Sequence, residues 1–127
     1  MDCVAIGDSI AVGVSRPLSC ERRAIVGLSS TKIINIAGGK YRATCIISAG
    51  SNDPKNPKLT INLIKIREKV KCSSYVWIRP IHSVAALATM NIAKKYGDVV
   101  VTFKPAKDNV HPKSYTDLAK KILTLTK

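Results

Sequence analysis

Ser9, Asn52, Asp108 and His111 are the residues of this chain whose types and placement could do chemistry together. Ser9 ends the stretch Ala5-Ile6-Gly7-Asp8-Ser9, an apolar run that stops at glycine and then presents an acid and a hydroxyl. Asn52 lies in Gly50-Ser51-Asn52-Asp53, and the last two lie in Asp108-Asn109-Val110-His111-Pro112. A hydroxyl, an imidazole, a nearby carboxylate and a neutral carboxamide are what acyl transfer needs: nucleophile, base, orienting group and oxyanion donor. An aspartate three residues before a histidine can meet it within one turn. There it fixes the tautomer that accepts a serine proton. A carboxamide suits position 52, because a carboxylate there would repel a developing oxyanion. Each piece also has a plain reading. Gly-Asp-Ser and Asn-Asp-Pro are turn chemistry, and an isolated glycine such as Gly27 serves close packing or an unusual backbone angle. The force of the set is joint, and it depends on what positions the pieces.

The elements that must position them alternate. Residues 3–6, 23–26, 43–48, 75–78 and 99–103 read as strands, the third a nearly unbroken apolar run expected of a strand covered on both faces. Between them, residues 10–14 form a short helix ended by Arg16-Pro17, and residues 31–37 a helix capped by Ser29 or Ser30 and stopped by Gly38-Gly39. Asn56-Pro57 opens a third helix, Asn as cap and Pro in first position, with Leu59, Leu63, Ile66 and Val70 at helical spacing. Ser83 caps an alanine-rich helix that runs to Tyr96 and ends at Gly97. Ser114-Tyr115-Thr116-Asp117 resembles a capping box for the last, with Leu118, Ile122 and Leu125 on one face. This alternation predicts an α/β fold with a five-stranded parallel sheet, helices on both faces and right-handed crossovers. Ligands bind such sheets outside the carboxyl ends of the strands. Ser9, Gly27, Asn52 and the 108–111 segment all follow strand ends, so one rim receives them all.

Length and composition narrow the classes. A chain of 127 residues with 46% hydrophobic residues makes one domain, residues 1–127, able to bury a core. No apolar run approaches the ~20 residues a membrane-spanning helix needs. The first strand starts almost at Met1 with no secretory signal before it, so the expectation is a product made in the cytoplasm. Release to the cell envelope would need a route this chain does not encode. Cys3, Cys20, Cys45 and Cys72 are widely spaced, with no C-x-x-C and no clustered histidines, which argues against a zinc site. Cys3 and Cys45, in apolar strand-like runs, read most simply as small core residues, and the missing signal points to a reducing compartment, although an even count permits disulfides. No metal or cofactor is implied. With 21 Lys and Arg against 8 Asp and Glu, the net charge of +13 attracts anionic polymers such as acidic polysaccharide, cell wall, membrane headgroups or nucleic acid. Nucleic acid is the weaker fit, because the few aromatics are not interleaved with the basic residues as stacking platforms.

Gly7-Asp8-Ser9-Ile10, the isolated Gly27, Gly50-Ser51-Asn52-Asp53 and Asp108-Asn109-Val110-His111-Pro112 resemble, in order, the four blocks of the SGNH (GDSL-type) hydrolase family. The likeness spans residues 7 to 112. It implies a flavodoxin-like three-layer α/β/α sandwich and a serine esterase, lipase or acyl hydrolase that needs no metal. Ser9 would be its nucleophile, His111 the base and Asp108 the group orienting His111. The backbone N–H groups of Ser9 and Gly27 with the Asn52 side chain would form the oxyanion hole. Ile10 stands where leucine is commoner, a volume-conserving change, and the block at Gly27 offers little context. The chain is short for the family, which leaves few residues for lids and suits an exposed acyl or O-acetyl ester on an anionic carbohydrate or cell-wall polymer. Two other classes stay open. One is a lytic cell-wall hydrolase of the phage-endolysin kind, using the rim carboxylates Asp8 and Asp53. The other is a non-catalytic basic domain that binds anions or nucleic acid. His82 reads as a loop or helix-entry residue and Trp77 as core.

Overall fold

A computed structural model describes residues 2–126. Its strands are β1 (Cys3–Gly7), β2 (Glu21–Ala24), β3 (Arg42–Ser48), β4 (Cys72–Ile78) and β5 (Val99–Val101). They alternate with α1 (Ser9–Leu18), α2 (Ser30–Ile36), α3 (Leu59–Lys69), α4 (Ser83–Tyr96) and α5 (Tyr115–Leu125). All pairings are parallel and the sheet order is β2-β1-β3-β4-β5, so the chain reverses direction across the sheet between β1 and β3.

Alternation along the strands divides the core in two. Val4, Ile6, Cys45, Ile47 and Trp77 face one side, where α2, α3 and α4 cover them with Ile33, Leu63, Ile66 and Ile92. Cys3, Ile46, Val76 and Ile78 face the other, under Ile10, Val14 and Leu18 of α1 and Leu118 and Ile122 of α5. The result is a three-layer α/β/α sandwich. Ile46 and Ile47, neighbours pointing opposite ways, are both fully buried, each worth roughly 1.5–3 kcal/mol relative to exposure.

The strand–helix alternation and the parallel sheet agree with the sequence. Several boundaries do not, each for a local reason. α1 does not stop at residue 14 but continues through Pro17 to Leu18. A proline so close to the end forfeits only one helical hydrogen bond, and Ser19, at a left-handed φ of 54°, closes the helix instead. β2 lies two residues earlier than the apolar pattern indicates. As an edge strand it exposes polar residues, while Ile25 and Val26 beyond it are 53% and 68% exposed. α3 begins at Leu59. Asn56 and Pro57 form the preceding turn, in which Asn56 Oδ1 accepts the Lys58 N–H at 2.9 Å. His82, not Ser83, caps α4, its Nδ1 accepting the Val84 N–H at 3.2 Å. β5 ends at Val101, and Leu125 on α5 is exposed.

The cysteines depart furthest from expectation. Cys3 bonds to Cys20 and Cys45 to Cys72, with Cα atoms 4.9 and 5.8 Å apart. All four are paired, so Cys3 and Cys45 are not the plain core thiols expected. The pairing arises because β1 lies beside the start of β2, and β3 beside the start of β4, a proximity that spacing along the chain does not reveal.

Candidate active site

The turn from β1 into α1 is built on a glycine that nothing else could replace. Gly7 has φ +140°, and a Cβ there would sit 1.8 Å from the Ser48 carbonyl oxygen. This close approach of β1 to β3 lets Asp8 turn inward and cap α1. Its Oδ1 accepts the Ile10 N–H at 3.1 Å and the Ser48 hydroxyl at 2.9 Å. Asp8 is fully buried, and its Oδ2 has no partner among the described residues. Burial pushes its pKa up to about 6, against the pull of those hydrogen bonds. Ser9 follows as the first residue of α1, half-buried, at the carboxyl edge of the sheet.

Ser9 Oγ lies 2.8 Å from His111 Nε2, across a sequence separation of 102. His111 Nδ1 in turn lies 2.5 Å from Asp108 Oδ2. The other Asp108 oxygen accepts the N–H groups of Val110 and His111, both at 3.0 Å, so the carboxylate folds its own turn around the imidazole. Asn109 makes that turn possible by adopting φ 59°, a conformation asparagine tolerates better than most residues. The His111 side chain first, then the two backbone donors, hold the Asp108 pKa down at about 2. The carboxylate therefore stays ionised and keeps a proton on Nδ1, leaving Nε2 to accept from Ser9. The Ala106 N–H to His111 carbonyl bond of 2.7 Å and the bridge between Pro105 and Pro112 close the loop behind it.

The remaining side of the site comes from two loops tied together. Residues 25–28 form a tight turn, with the Leu28 N–H on the Ile25 carbonyl at 3.4 Å and Gly27 at φ +84° in its third position, where left-handed geometry favours glycine. Asn52 Nδ2 donates to the Leu28 carbonyl at 2.9 Å, which draws the carboxamide onto this turn and leaves its second N–H available. Neither the Ser9 nor the Gly27 backbone N–H has an acceptor among the described residues. Two amides and a carboxamide thus keep N–H groups to offer, and the Ile25 N–H on the Gly7 carbonyl at 3.1 Å ties the Gly27 turn to the strand that leads into Ser9.

Asp53 holds the two loops in register. Its Oδ1 accepts the Ser30 N–H at 2.9 Å, and its Oδ2 the Ser30 hydroxyl at 2.6 Å and Asn56 Nδ2 at 2.9 Å. From α3 the buried Asn62 adds bonds to Ser30 Oγ at 3.0 Å and Thr31 Oγ1 at 3.1 Å. Asp8 and Asp53, the rim carboxylates open to a glycosidase reading, are thus both committed to holding turns.

Sequence reasoning missed the supporting residues: Ser48 under Asp8, Ser30 and Asn62 behind Asp53, and Tyr115. The Tyr115 ring fills the space a Cβ at Gly13 would occupy, 2.2 Å away, and its hydroxyl donates to the Ser9 carbonyl at 3.5 Å. Burial, with the nearby charges of Asp8 and Asp108, raises its pKa. Only the glycine inside α1, an odd choice for a helix interior, signalled such a close approach.

The site is open. The side chains of His111 and Asp108 are 40% and 50% exposed, and Asn52 is exposed. Beside it a cleft of about 330 Å³ runs between Ser51 and Pro54 on one wall and Ile81, His82, Asn109 and Val110 on the others. No group of three or more His, Cys, Asp or Glu among the described residues is arranged to hold a metal. No helix among them is long and apolar enough to cross a membrane. In comparisons with known proteins, no protein-family model matches the chain and no curated protein matches it.

Proposed function

We propose that the protein is a serine ester hydrolase of the SGNH type. The observation that carries this reading is the continuous relay from Ser9 Oγ to His111 Nε2 at 2.8 Å and from His111 Nδ1 to Asp108 at 2.5 Å. His111 takes the Ser9 proton as Oγ attacks the ester carbonyl. The carbonyl oxygen becomes an oxyanion held by the Ser9 and Gly27 amides and Asn52 Nδ2. Collapse of this intermediate expels the alcohol, which leaves with the proton from His111, and an acyl-Ser9 ester remains. Water, deprotonated by His111, then attacks that ester, releases the acid and returns the proton to Ser9. Asp108 stays ionised throughout and stabilises the imidazolium.

The exposed site and the modest cleft favour a short acyl group, acetyl-sized, on a bulky alcohol. The net charge of +13 favours an anionic carbohydrate or cell-wall polymer as that alcohol. The commitment of Asp8 and Asp53 to holding turns supports ester over glycoside chemistry. Two disulfides support a working place that is oxidising, outside a reducing cytoplasm. The test is intact-mass spectrometry after fluorophosphonate treatment of wild type, Ser9→Ala and His111→Ala, followed by a screen of acetylated substrates. A single adduct on Ser9, lost in both variants, is the expected result. An unlabelled wild type overturns the assignment.

A further inference from the structure

The loop that carries the triad's histidine also walls a second concavity, through Lys104 and Lys113 at its two ends. A cavity of about 390 Å³ lies between this loop and α5, with Phe103 and Leu118 as apolar floor and Lys104, Lys113, Lys121 and Asp117 around it. It continues into an open groove of about 420 Å³ along the edge strand β5, lined by Val100, Thr102, Lys120, Lys121 and Leu125. The two share Lys121, so together they form one trough with four lysines and a single carboxylate. Lys121 is held in place by donating to the Thr102 carbonyl at 2.9 Å, and its ammonium keeps further N–H groups to offer. Short stretches of chain join the trough's lining to the candidate site. Lys113 follows His111 by two residues and is pinned to Lys104 by a backbone bond of 2.8 Å, and Tyr115 at the start of α5 reaches the Ser9 carbonyl.

We propose that this trough binds the backbone of an acidic polysaccharide and presents an ester on that chain to Ser9. The proposal rests on the esterase reading for the second half of its statement only. Carboxylates spaced along a sugar chain meet the lysines, and the C–H faces of the rings lie on Phe103 and the apolar floor. A concave site lined by one sign of charge concentrates such a ligand. Nucleic acid fits less well, since a strand of bases wants successive aromatic platforms and the trough offers Phe103 alone. A neutral glycan would leave four lysines without a role.

The experiment measures binding of polygalacturonate, a polyuronate without esters, by affinity electrophoresis and calorimetry at low ionic strength. Wild type is expected to bind, and salt to weaken the complex. Lys104→Gln with Lys113→Gln, and separately Lys120→Gln with Lys121→Gln, should each lower affinity roughly tenfold or more, as expected when close charge partners are removed. The pair Lys32→Gln and Lys65→Gln, exposed on the other face of the sheet, loses the same charge and should keep wild-type affinity within about twofold. Lys121→Arg should retain binding. Equal losses in the control pair would mean diffuse attraction by net charge and would overturn the proposal. No polygalacturonate binding by wild type would overturn it too, as would preferential binding of oligo-dT through these lysines. Because the probe has no ester, the outcome is independent of Ser9. Fluorophosphonate labelling reports on the nucleophile separately.

Discussion

The two edges of the sheet are held together by different means. Toward the amino ends of the strands lie both disulfides and four of the five ion pairs seen among the described residues. Arg42 pairs with Glu21 and Asp2 at the starts of three strands. Arg67 grips Asp98 through bonds of 2.7 and 3.0 Å, lies 3.3 Å over the Tyr75 ring, and shares Asp98 with Trp77 Nε1 at 2.9 Å. Among the described residues the carboxyl edge has no covalent staple, and its one ion pair is His111 with Asp108. Everything else there is hydrogen bonding around turns. On the proposed chemistry the rim groups must stay reachable and unneutralised, and reinforcement that would consume them sits at the opposite edge. Stability and chemistry are thereby separable, and substitutions at the two edges should give opposite signatures.

The largest effect should come from His111→Ala. Loss of the base should lower ester turnover by about 10⁴-fold or more, while the exposed position limits the stability change to about 0.5 kcal/mol. Steady-state kinetics beside a denaturant titration measures both. A variant that lost its fold would break the division between edges. Asn52→Ala comes next, with an expected loss of about 10²–10³ in kcat from one missing oxyanion donor. If KM rose and kcat held, Asn52 would be a binding group and not an oxyanion donor.

The opposite edge should answer in the opposite way. Replacing Cys45 and Cys72 together by alanine opens a loop of sequence separation 27 and should cost roughly 3–4 kcal/mol of stability. Turnover at 25 °C should hold near wild type, since neither cysteine touches the rim. A matching loss of kcat in the folded variant would show that the amino edge tunes the site after all.

How much of this was legible in the chain follows the same division. The site motifs are local: Asp108 and His111 close their own turn, and the strand-end rule places Ser9 and the 108–111 segment on one rim. Distances between them did not have to be read, only the order of the elements. The amino edge is non-local. Cys3 with Cys20, Cys45 with Cys72, and Arg67 with Asp98 meet only because particular strands and helices are neighbours, and no periodicity encodes that. The same reason hid Ser30 and Asn62 behind Asp53. The misplaced β2 has a different cause: Ile25 and Val26 look like a strand core, but beside an open rim they stay exposed.

Asp8 sharpens the comparison further, because it makes the carboxyl edge locally unfavourable at neutral pH. Its pKa is about 6 in the folded chain against an ordinary value of 3.8. Between about pH 4 and 6 the folded state therefore holds a proton that the unfolded state has released. Stability contributed by this group is greatest below about pH 4 and falls as pH rises through 6, by on the order of 3 kcal/mol in all. Asp108 acts with the opposite sign and outside this window: its contribution is present above pH 3.8 and is lost only as pH falls toward 2. Asp8→Asn keeps the Oδ1 acceptor for Ile10 and Ser48 and removes the charge. Denaturant titrations at pH 4.5, 6 and 7.5 should show wild-type stability dropping relative to this variant as pH rises, with most of the drop complete by pH 7. Parallel curves for the two proteins would mean that the buried carboxyl is not the source. The carboxyl edge would then be free of the penalty that burying an acid beside Ser9 imposes.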